Sequence, residues 1–239
     1  MRHLLIIAAF ALLSAAIFYI FPNIDIHTSF LFYTSKGDAQ GFIAHHSDSF
    51  MYALYYLRLF IICCTLLFIA FKFLSIYRKT RSFNILNYKI PFYIIFVCVI
   101  GVGVLVEGVV KNTFNRPRPC TIQEFGGDRI FSPSFVISDQ CSHNCSFVSG
   151  HASASFMLFS IAFTLQTRRN RMLMNLFAIG MGLLSGYGRI VLGKHFLSDV
   201  IFAGFFLYIM AYISAILFKL DSVIDFDADK KNQSDTGKS

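Results

Sequence analysis

Three ionisable side chains interrupt an apolar stretch of the sequence: Arg189, His195 and Asp199. A spacing of four places His195 and Asp199 on one face of a helix, within hydrogen-bonding reach. In such a pair the carboxylate keeps one ring nitrogen protonated, so the other presents its lone pair as a nucleophile or base. A structural pair that satisfies two buried polar groups would have the same spacing. This segment alone therefore leaves both interpretations open.

A second cluster, "KNTFNRPRP" at 111–119, brings Lys111 and Arg118 together. Seven residues are nearly two helical turns, so the two cations are predicted on roughly one helix face. Pro117 and Pro119 predict a helix end or extended structure nearby. Cations that reach toward lipid head groups are the alternative interpretation.

The third cluster, "SFVSGHASASF" at 146–156, places Ser149, Gly150 and His151 directly before an apolar helical run. Backbone N–H groups at a helix start, together with a hydroxyl, suit an anion. Ser149 also has the position of an ordinary N-cap. His151 falls on the first turn, beside the predicted anion.

Long apolar runs flank these clusters. Of 239 residues 56% are hydrophobic and only 14% are charged, too few charges to cover a water-soluble domain of this size. The expected fold class is an all-α integral membrane protein with six transmembrane helices in one bundle, because backbone polar groups in lipid must be satisfied within each span. The first run is interpreted as an uncleaved span. The fourth run is short and rich in Ser and Ala, so it is the least typical of a membrane span. The predicted spans are 4–21, 52–74, 91–110, 151–166, 172–192 and 196–218.

The distribution of the +8 formal charge predicts the topology and argues against nucleic acid as a partner. Short loops rich in Lys and Arg remain in the cytoplasm, which gives an N-in, C-in arrangement and a polar cytoplasmic tail, 222–239, predicted to be disordered. Other cations map to the outward side, against that rule, where an anion-binding site would need them. The cytoplasmic set is Arg78, Lys79, Arg81, Lys89, Arg168, Arg169 and Arg171; the outward set is Lys111, Arg116, Arg118, Arg129, Arg189 and Lys194.

Cys120, Cys141 and Cys145 fall in the outward loop that joins the first two clusters. Three cysteines allow at most one disulfide among them, and the sequence leaves its partners open. This loop, 120–148, which also contains Arg129, is where we expect selectivity to reside.

Taken together, the clusters resemble the type 2 phosphatidic acid phosphatase superfamily, whose motifs are K-x6-RP, PSGH and SR-x5-H-x3-D. Two positions depart from the pattern, since Val148 replaces the Pro and Gly188 replaces the Ser. Arg116-Pro117 offers a second RP pair, but only Arg118 has the family's spacing from Lys111. The matching residues are Lys111, Arg118 and Pro119; Ser149, Gly150 and His151; and Arg189, His195 and Asp199.

The resemblance implies a six-span phosphatase domain over 1–221 with its motifs within 111–199. It implies that His195 attacks phosphorus to form a phosphohistidine, that Asp199 orients His195, and that His151 protonates the leaving oxygen and then activates water. No metal or cofactor is expected, because cations surround the alternative ligands His143, His151, His195 and Asp199. The implied phosphate-binding residues are Lys111, Arg118, Arg189, Ser149 and the N–H of Gly150.

Size and layout are most similar to bacterial lipid A phosphatases. The expected partners are therefore membrane lipids and a lipid phosphate, whose monoester is hydrolysed at the periplasmic face of the inner membrane. The expected substrate is lipid A 1-phosphate; alternatives are the 4′-phosphate, undecaprenyl diphosphate and phosphatidylglycerophosphate. A small transporter or channel is the alternative from another class, with Arg58 and Glu107 inside predicted spans, although an internal Glu–Arg pair explains both more simply.

Overall fold

The computed structural model describes residues 2–34, 41–43, 49–80 and 85–220. Over these residues the chain is mostly helical, as expected. The predicted disordered tail, 222–239, and Arg81 of the cytoplasmic cations lie outside the described residues.

The helices follow the apolar runs, with one small β element between the second and third helices. β1 (Tyr33–Thr34) and β2 (Gly41–Phe42) pair antiparallel, with Tyr33 opposite Phe42, so the fold is not purely helical. The α-helices are α1 (Arg2–Ile20), α2 (Asn23–Phe30), α3 (Ser49–Thr80), α4 (Lys89–Phe96), α5 (Lys111–Phe114), α6 (Gly150–Phe156), α7 (Phe159–Ala162), α8 (Arg168–Val191) and α9 (Leu197–Leu217). A π-helix (Val97–Val110) joins α4 to α5, and 3₁₀ turns occupy Ile85–Tyr88, Pro119–Thr121 and Gln123–Phe125.

Long apolar helices mark the chain as a membrane protein. Among the described residues, Ser49–Thr80, Lys89–Thr121 and Leu197–Leu217 are long and apolar enough to cross a membrane. A fourth crossing is added if Leu4–Ile20 and Asn23–Phe30, bent by 80°, count as one broken span. These segments coincide with the predicted first, second, third and sixth spans, while the fifth lies within α8.

The predicted fourth helix, 151–166, is broken into α6 and α7. Ser153 and Ser155 donate their hydroxyls to the carbonyls four residues earlier, at 2.8 and 3.3 Å, a pattern that bends helices. Hydrogen bonds to the residue three positions earlier follow, such as Ser160 N–H to Met157 O at 2.9 Å. These 3₁₀-type bonds end the α-helical hydrogen-bond pattern. These side-chain and i→i−3 hydrogen bonds therefore interrupt the single helix predicted over 151–166.

Buried α6 lies at the centre of the bundle, packed against α3, α8, α9 and the π-helix. Close approach depends on glycines of α8. A Cβ on Gly182 would overlap the Phe156 ring of α6, and one on Gly186 would overlap Val200 of α9. The packing therefore brings the start of α6 beside the end of α8 and the start of α9.

Candidate active site

Backbone hydrogen bonds tie the three polar clusters to one another. Cys120 N–H donates to Gly193 O at 2.9 Å, and Ser146 N–H donates to Arg116 O at 2.8 Å. Ser149 N–H donates to Asp199 O at 3.1 Å. Segments that are far apart in sequence therefore form one framework.

A cavity of about 670 Å³ lies within this framework. Its walls come from α3, the helix that ends in α5, the start of α6, the end of α8 and the turn before α9. Seven cations or imidazoles from these elements and from the loop after α5 line it alongside apolar residues. The ionisable and polar lining residues are Tyr55, Arg58, Glu107, Lys111, Arg118, Asn144, His151, Arg189, Lys194 and His195.

His195 is positioned by a tight turn between α8 and α9. Gly193 has a left-handed φ of +63°, and a Cβ there would overlap the Phe42 ring, so glycine is required. Lys194 and His195 donate their N–H groups to Arg189 O, at 2.9 and 3.3 Å. The turn therefore holds His195 beside the arginine of its own motif.

The orientation of the His195 ring follows from its hydrogen bond. Nδ1 lies 2.8 Å from Ser146 O and 3.5 Å from Asp199 Oδ2. Because a carbonyl only accepts, Nδ1 carries the hydrogen, and the lone pair is on Nε2. Burial lowers the pKa of His195 from 6.5 to about 4; Asp199 opposes this shift, and the cations of Arg189 and Lys111 add to it. His195 is therefore neutral, with a nucleophilic Nε2, at ordinary pH.

His151 lies on the first turn of α6 and lines the same cavity as His195. Its ring packs against the Tyr55 ring, with centroids 5.2 Å apart. Its Nε2 is buried and has no hydrogen-bond partner among the described residues. A buried, unsatisfied ring nitrogen at the cavity wall is suited to exchange a proton with a bound molecule.

Arg189 and Arg118 contribute guanidinium groups in different ways. Arg189 is 6% exposed, and its Nε and Nη1 have no hydrogen-bond partner within the described parts of the chain. Arg118 is held by Asn144, with Nε donating to the backbone O at 3.0 Å and Nη2 to Oδ1 at 2.6 Å. A planar donor group with unsatisfied buried N–H groups matches the oxygens of a phosphate.

Lys111 is paired with Glu107, whose Oε2 lies 2.8 Å from its Nζ. The internal pair expected between Glu107 and Arg58 is therefore replaced by a Glu107–Lys111 pair. The prediction that Lys111 and Arg118 share a helix face is wrong, because the helix ends at Phe114, Asn115 is left-handed, and Arg118 is extended. Both side chains nevertheless line the same cavity.

Ser149 is an ordinary N-cap, as the alternative interpretation of its position predicted. Its Oγ accepts from Ala152 N–H at 3.4 Å as the N-cap of α6, and Ser149 is not among the cavity-lining residues. Gly150 does line the cavity, and a Cβ there would overlap the Glu107 carboxylate. Glycine therefore allows α6 to begin against the cavity wall, and the phosphate-binding roles of Ser149 and Gly150 stay predictions.

The cysteines of the outward loop include one disulfide, between Cys141 and Cys145, while Cys120 is free. The bridge closes a short loop that contains Asn144, the residue that holds Arg118. Among the described residues no group of three or more His, Cys, Asp or Glu side chains is placed to hold a metal ion.

Several residues of the site escape sequence reasoning. Arg58 of α3 reaches the cavity from outside the motifs, and Ser146 accepts the His195 hydrogen through its carbonyl. Arg116, whose spacing from Lys111 did not match the motif, is fully buried against Asp199 and Asp25. The sequence signal for Arg116 was its place in a second RP pair; Asp25 has no local signal at all.

The chain is a helical membrane protein with a cavity lined by cations and imidazoles. Proteins of this class are suited to bind anionic groups and react with them. Residues 92–221 match the family model described as PAP2 superfamily. The chain belongs to this superfamily and is a phosphatase, as the motifs implied.

Three relatives are named lipid A 4′-phosphatase. The protein from Francisella tularensis subsp. novicida is 39% identical over 197 residues, 82% of this chain and 86% of that protein. Those from Rhizobium leguminosarum and Rhizobium etli are 28% and 30% identical, covering 78% and 77% of this chain and 83% and 75% of theirs. No solved structure matches the chain.

Proposed function

We propose that the protein removes the 4′-phosphate of lipid A through a covalent phosphohistidine on His195. The observation that carries the proposal is one cavity that joins unsatisfied nitrogen atoms of Arg189 and His151 to a neutral His195. The relatives' names support the 4′ position, which the sequence analysis held as an alternative, over its first choice, the 1-phosphate.

In the first chemical step His195 Nε2 attacks phosphorus, and the bond from phosphorus to the sugar oxygen breaks. Asp199 stabilises the positive charge that develops on the ring. His151 acts as the general acid and gives a proton to the departing oxygen, so the dephosphorylated lipid leaves as an alcohol.

In the second step water attacks the phosphohistidine. His151, now neutral, accepts a proton from that water as the P–N bond breaks, which returns His195 and releases inorganic phosphate. Arg189, Arg118 and Lys111 surround the phosphoryl oxygens, with the N–H of Gly150 at the helix start. Ser149 acts through its cap, which fixes that helix start.

We assign 1–221 to one phosphatase domain with six spans, its two termini in the cytoplasm and its cavity open to the periplasm. The broken α6–α7 pair and α8 then complete the spans that α1–α2, α3, the α4–α5 helix and α9 begin. Impermeant thiol reagents on intact cells test this: a cysteine introduced at Ser142 should react, whereas one introduced at Arg169 should not. The reverse pattern would refute the orientation.

The loop between the first two motifs is the part of the site that would select the lipid. A second cavity of about 420 Å³ shares Arg118, Asn144 and Lys194 with the first and is also lined by Arg129. These cations surround a space next to the reacting phosphate, which suits the polar sugar part of lipid A.

Purified protein in detergent, with chelator present, tests the proposed substrate. Lipid A 1,4′-bisphosphate, undecaprenyl diphosphate and phosphatidylglycerophosphate are offered in parallel, and mass spectrometry locates the lost phosphate. We expect selective loss of the 4′-phosphate by the wild type and no loss with His195→Ala. Loss of the 1-phosphate, or preference for another lipid, would overturn the substrate assignment.

A further inference from the structure

Behind Asp199, away from the cavity, lies a buried cluster of charges that the motifs do not include. Arg116 is 0% exposed, and Asp25 and Asp199 are 1% and 0% exposed. Arg116 Nη1 donates to Asp199 Oδ1 at 2.6 Å, and Nη2 donates to Asp25 Oδ2 at 2.8 Å. One guanidinium thus joins two carboxylates, of which only Asp199 is within 4 Å of His195.

The cluster is nearly saturated with hydrogen bonds, as a buried set of charges requires. Arg116 Nε donates to Ser132 O at 2.7 Å, and its guanidinium lies 4.2 Å from the Phe196 ring centroid. Ser198 bridges the charges: its N–H donates to Asp25 Oδ1 at 2.9 Å, and its hydroxyl donates to Asp25 Oδ2 at 2.6 Å. The cluster therefore has one fixed geometry.

The carboxylate of Asp199 is held from both sides. Its Oδ1 accepts from Arg116, and its Oδ2 accepts from Ser146 Oγ at 2.5 Å and from Phe196 N–H at 2.8 Å. Asp199 Oδ2 also faces His195 Nδ1. Arg116 therefore fixes where the Oδ2 atom stands relative to the reacting ring.

The charges explain why a second carboxylate is needed. Arg116 alone would cancel the charge of Asp199, which must stabilise the positive ring during phosphoryl transfer. With Asp25 the three groups sum to one negative charge. Asp25 lies on α2, outside the residues that match the family model, 92–221.

We propose that Arg116 and Asp25 are positioning residues that hold Asp199 in place and set how strongly it acts on His195. The proposal rests on the proposed role of His195 as nucleophile. It predicts effects of opposite sign for the two residues, because one withdraws negative charge from Asp199 and the other restores it. The other charged or titratable groups lining the cavity around His195 are Tyr55, Arg58, Glu107, Lys111, Arg118, His151, Arg189 and Lys194.

The test is the acid limb of kcat/KM in Asp25→Asn and Arg116→Gln, measured with whichever lipid phosphate the wild type hydrolyses. Asp25→Asn should move the limb to lower pH, and Arg116→Gln should move it to higher pH, each by on the order of one unit. Both variants should also lose kcat. Ser29→Ala, on the buried face of α2 but outside the cluster, is the matched control and should leave the limb unchanged.

Either variant decides the matter alone, provided that it elutes and unfolds like the wild type. An unshifted limb in an active variant, or shifts of the same sign in both, would contradict the proposal, because general loosening lowers the rate without this pattern. Wild-type activity that persists in His195→Ala is a different result: it would remove the nucleophile and hence the proposed function itself.

Discussion

At the residue scale, the chemistry of the site depends on which nitrogen of His195 is free. The carbonyl of Ser146 takes the Nδ1 hydrogen at 2.8 Å, and Asp199 stands slightly farther away at 3.5 Å. The ring is thus oriented by a backbone oxygen and polarised by a carboxylate. This division of roles makes the protonation state of His195 the natural quantity to test.

Burial lowers the pKa of His195 to about 4, and the form that attacks in the proposed mechanism is the neutral one. We therefore expect kcat/KM to lose its His195-dependent part only as the pH falls through about 4, and to retain it at pH 5 and above. The second ionisation of a phosphate monoester has a pKa of about 6. It is titrated separately on the substrate, and its contribution is subtracted from the pH profile of kcat/KM. A remaining acid limb near 6.5 would contradict this prediction.

Arg58 offers a second test at this scale, because no motif includes it. Its Nε is buried without a hydrogen-bond partner among the described residues, and it lines the cavity with Arg189. We expect Arg58→Gln to raise KM for the lipid phosphate by about 10-fold, since a charge-assisted hydrogen bond contributes roughly 1.5–3 kcal/mol. Lys72→Gln is the control, because Lys72 lies on the same helix with its Nζ over the Phe68 ring and does not line this cavity. Equal KM values in the two variants would exclude Arg58 from the site.

At the scale of elements, the loop closed by the Cys141–Cys145 disulfide positions Arg118, a proposed phosphate-binding residue. Asn144 within it has a φ of 55° and accepts two hydrogen bonds from Arg118. The disulfide holds this left-handed residue where Arg118 meets it. We therefore expect the bridge to affect substrate binding through Arg118.

We expect Asn144→Gly, which keeps the left-handed backbone accessible, and Cys145→Ser to raise KM by about 3- to 10-fold, because each loosens hydrogen bonds to a charged group. Reductant should have the same effect on the wild type and none on Cys145→Ser. Cys63→Ser, at an exposed position on α3, is the control. A wild-type KM insensitive to reductant, with the bridge verified as open, would contradict the coupling.

The packing of α8 against α6 provides a stability test. A Cβ on Gly182 would overlap the Phe156 ring, whereas a Cβ on Gly180, half a turn away on the same helix, would meet no atom within 4 Å. Gly182→Ala should lower the free energy of unfolding by about 1–3 kcal/mol through overpacking. Gly180→Ala should leave it unchanged or raise it by up to about 1 kcal/mol through helix propensity. Unfolding in detergent measures both, and equal stabilities would argue against close α6–α8 packing.

At the scale of the whole molecule, the sequence predicts features that depend on local pattern. The apolar runs place the ends of α1, α3, the α4–α5 helix, α8 and α9 to within six residues, because a lipid-facing helix needs a continuous apolar stretch. Lys111, Arg118, His151, Arg189 and His195, which the motif resemblance singled out, line one cavity, although spacing wrongly predicted one helix face for the first two. Helix breaks depend on details that composition does not resolve, which is why 151–166 was expected as one helix.

Long-range partners are the part that spacing leaves out. Arg116 looked like a duplicate of the motif arginine, and only folding shows that it faces Asp199 and Asp25. Asp25 is 91 residues from Arg116 in sequence, so no local pattern connects them. Likewise, the choice of Cys141 and Cys145 as disulfide partners requires the loop geometry.

The most direct measurement is to quench the purified protein early in turnover of lipid A labelled at its 4′-phosphate, and to locate the label on the chain. We expect an acid-labile, base-stable phosphoryl group on His195, and no such group in His195→Ala. If the dephosphorylated lipid can still leave without a proton from His151, the phosphoryl group should accumulate in His151→Ala. Label on another residue, or hydrolysis of the lipid with no label on the protein at any quench time, would contradict the mechanism centred on His195.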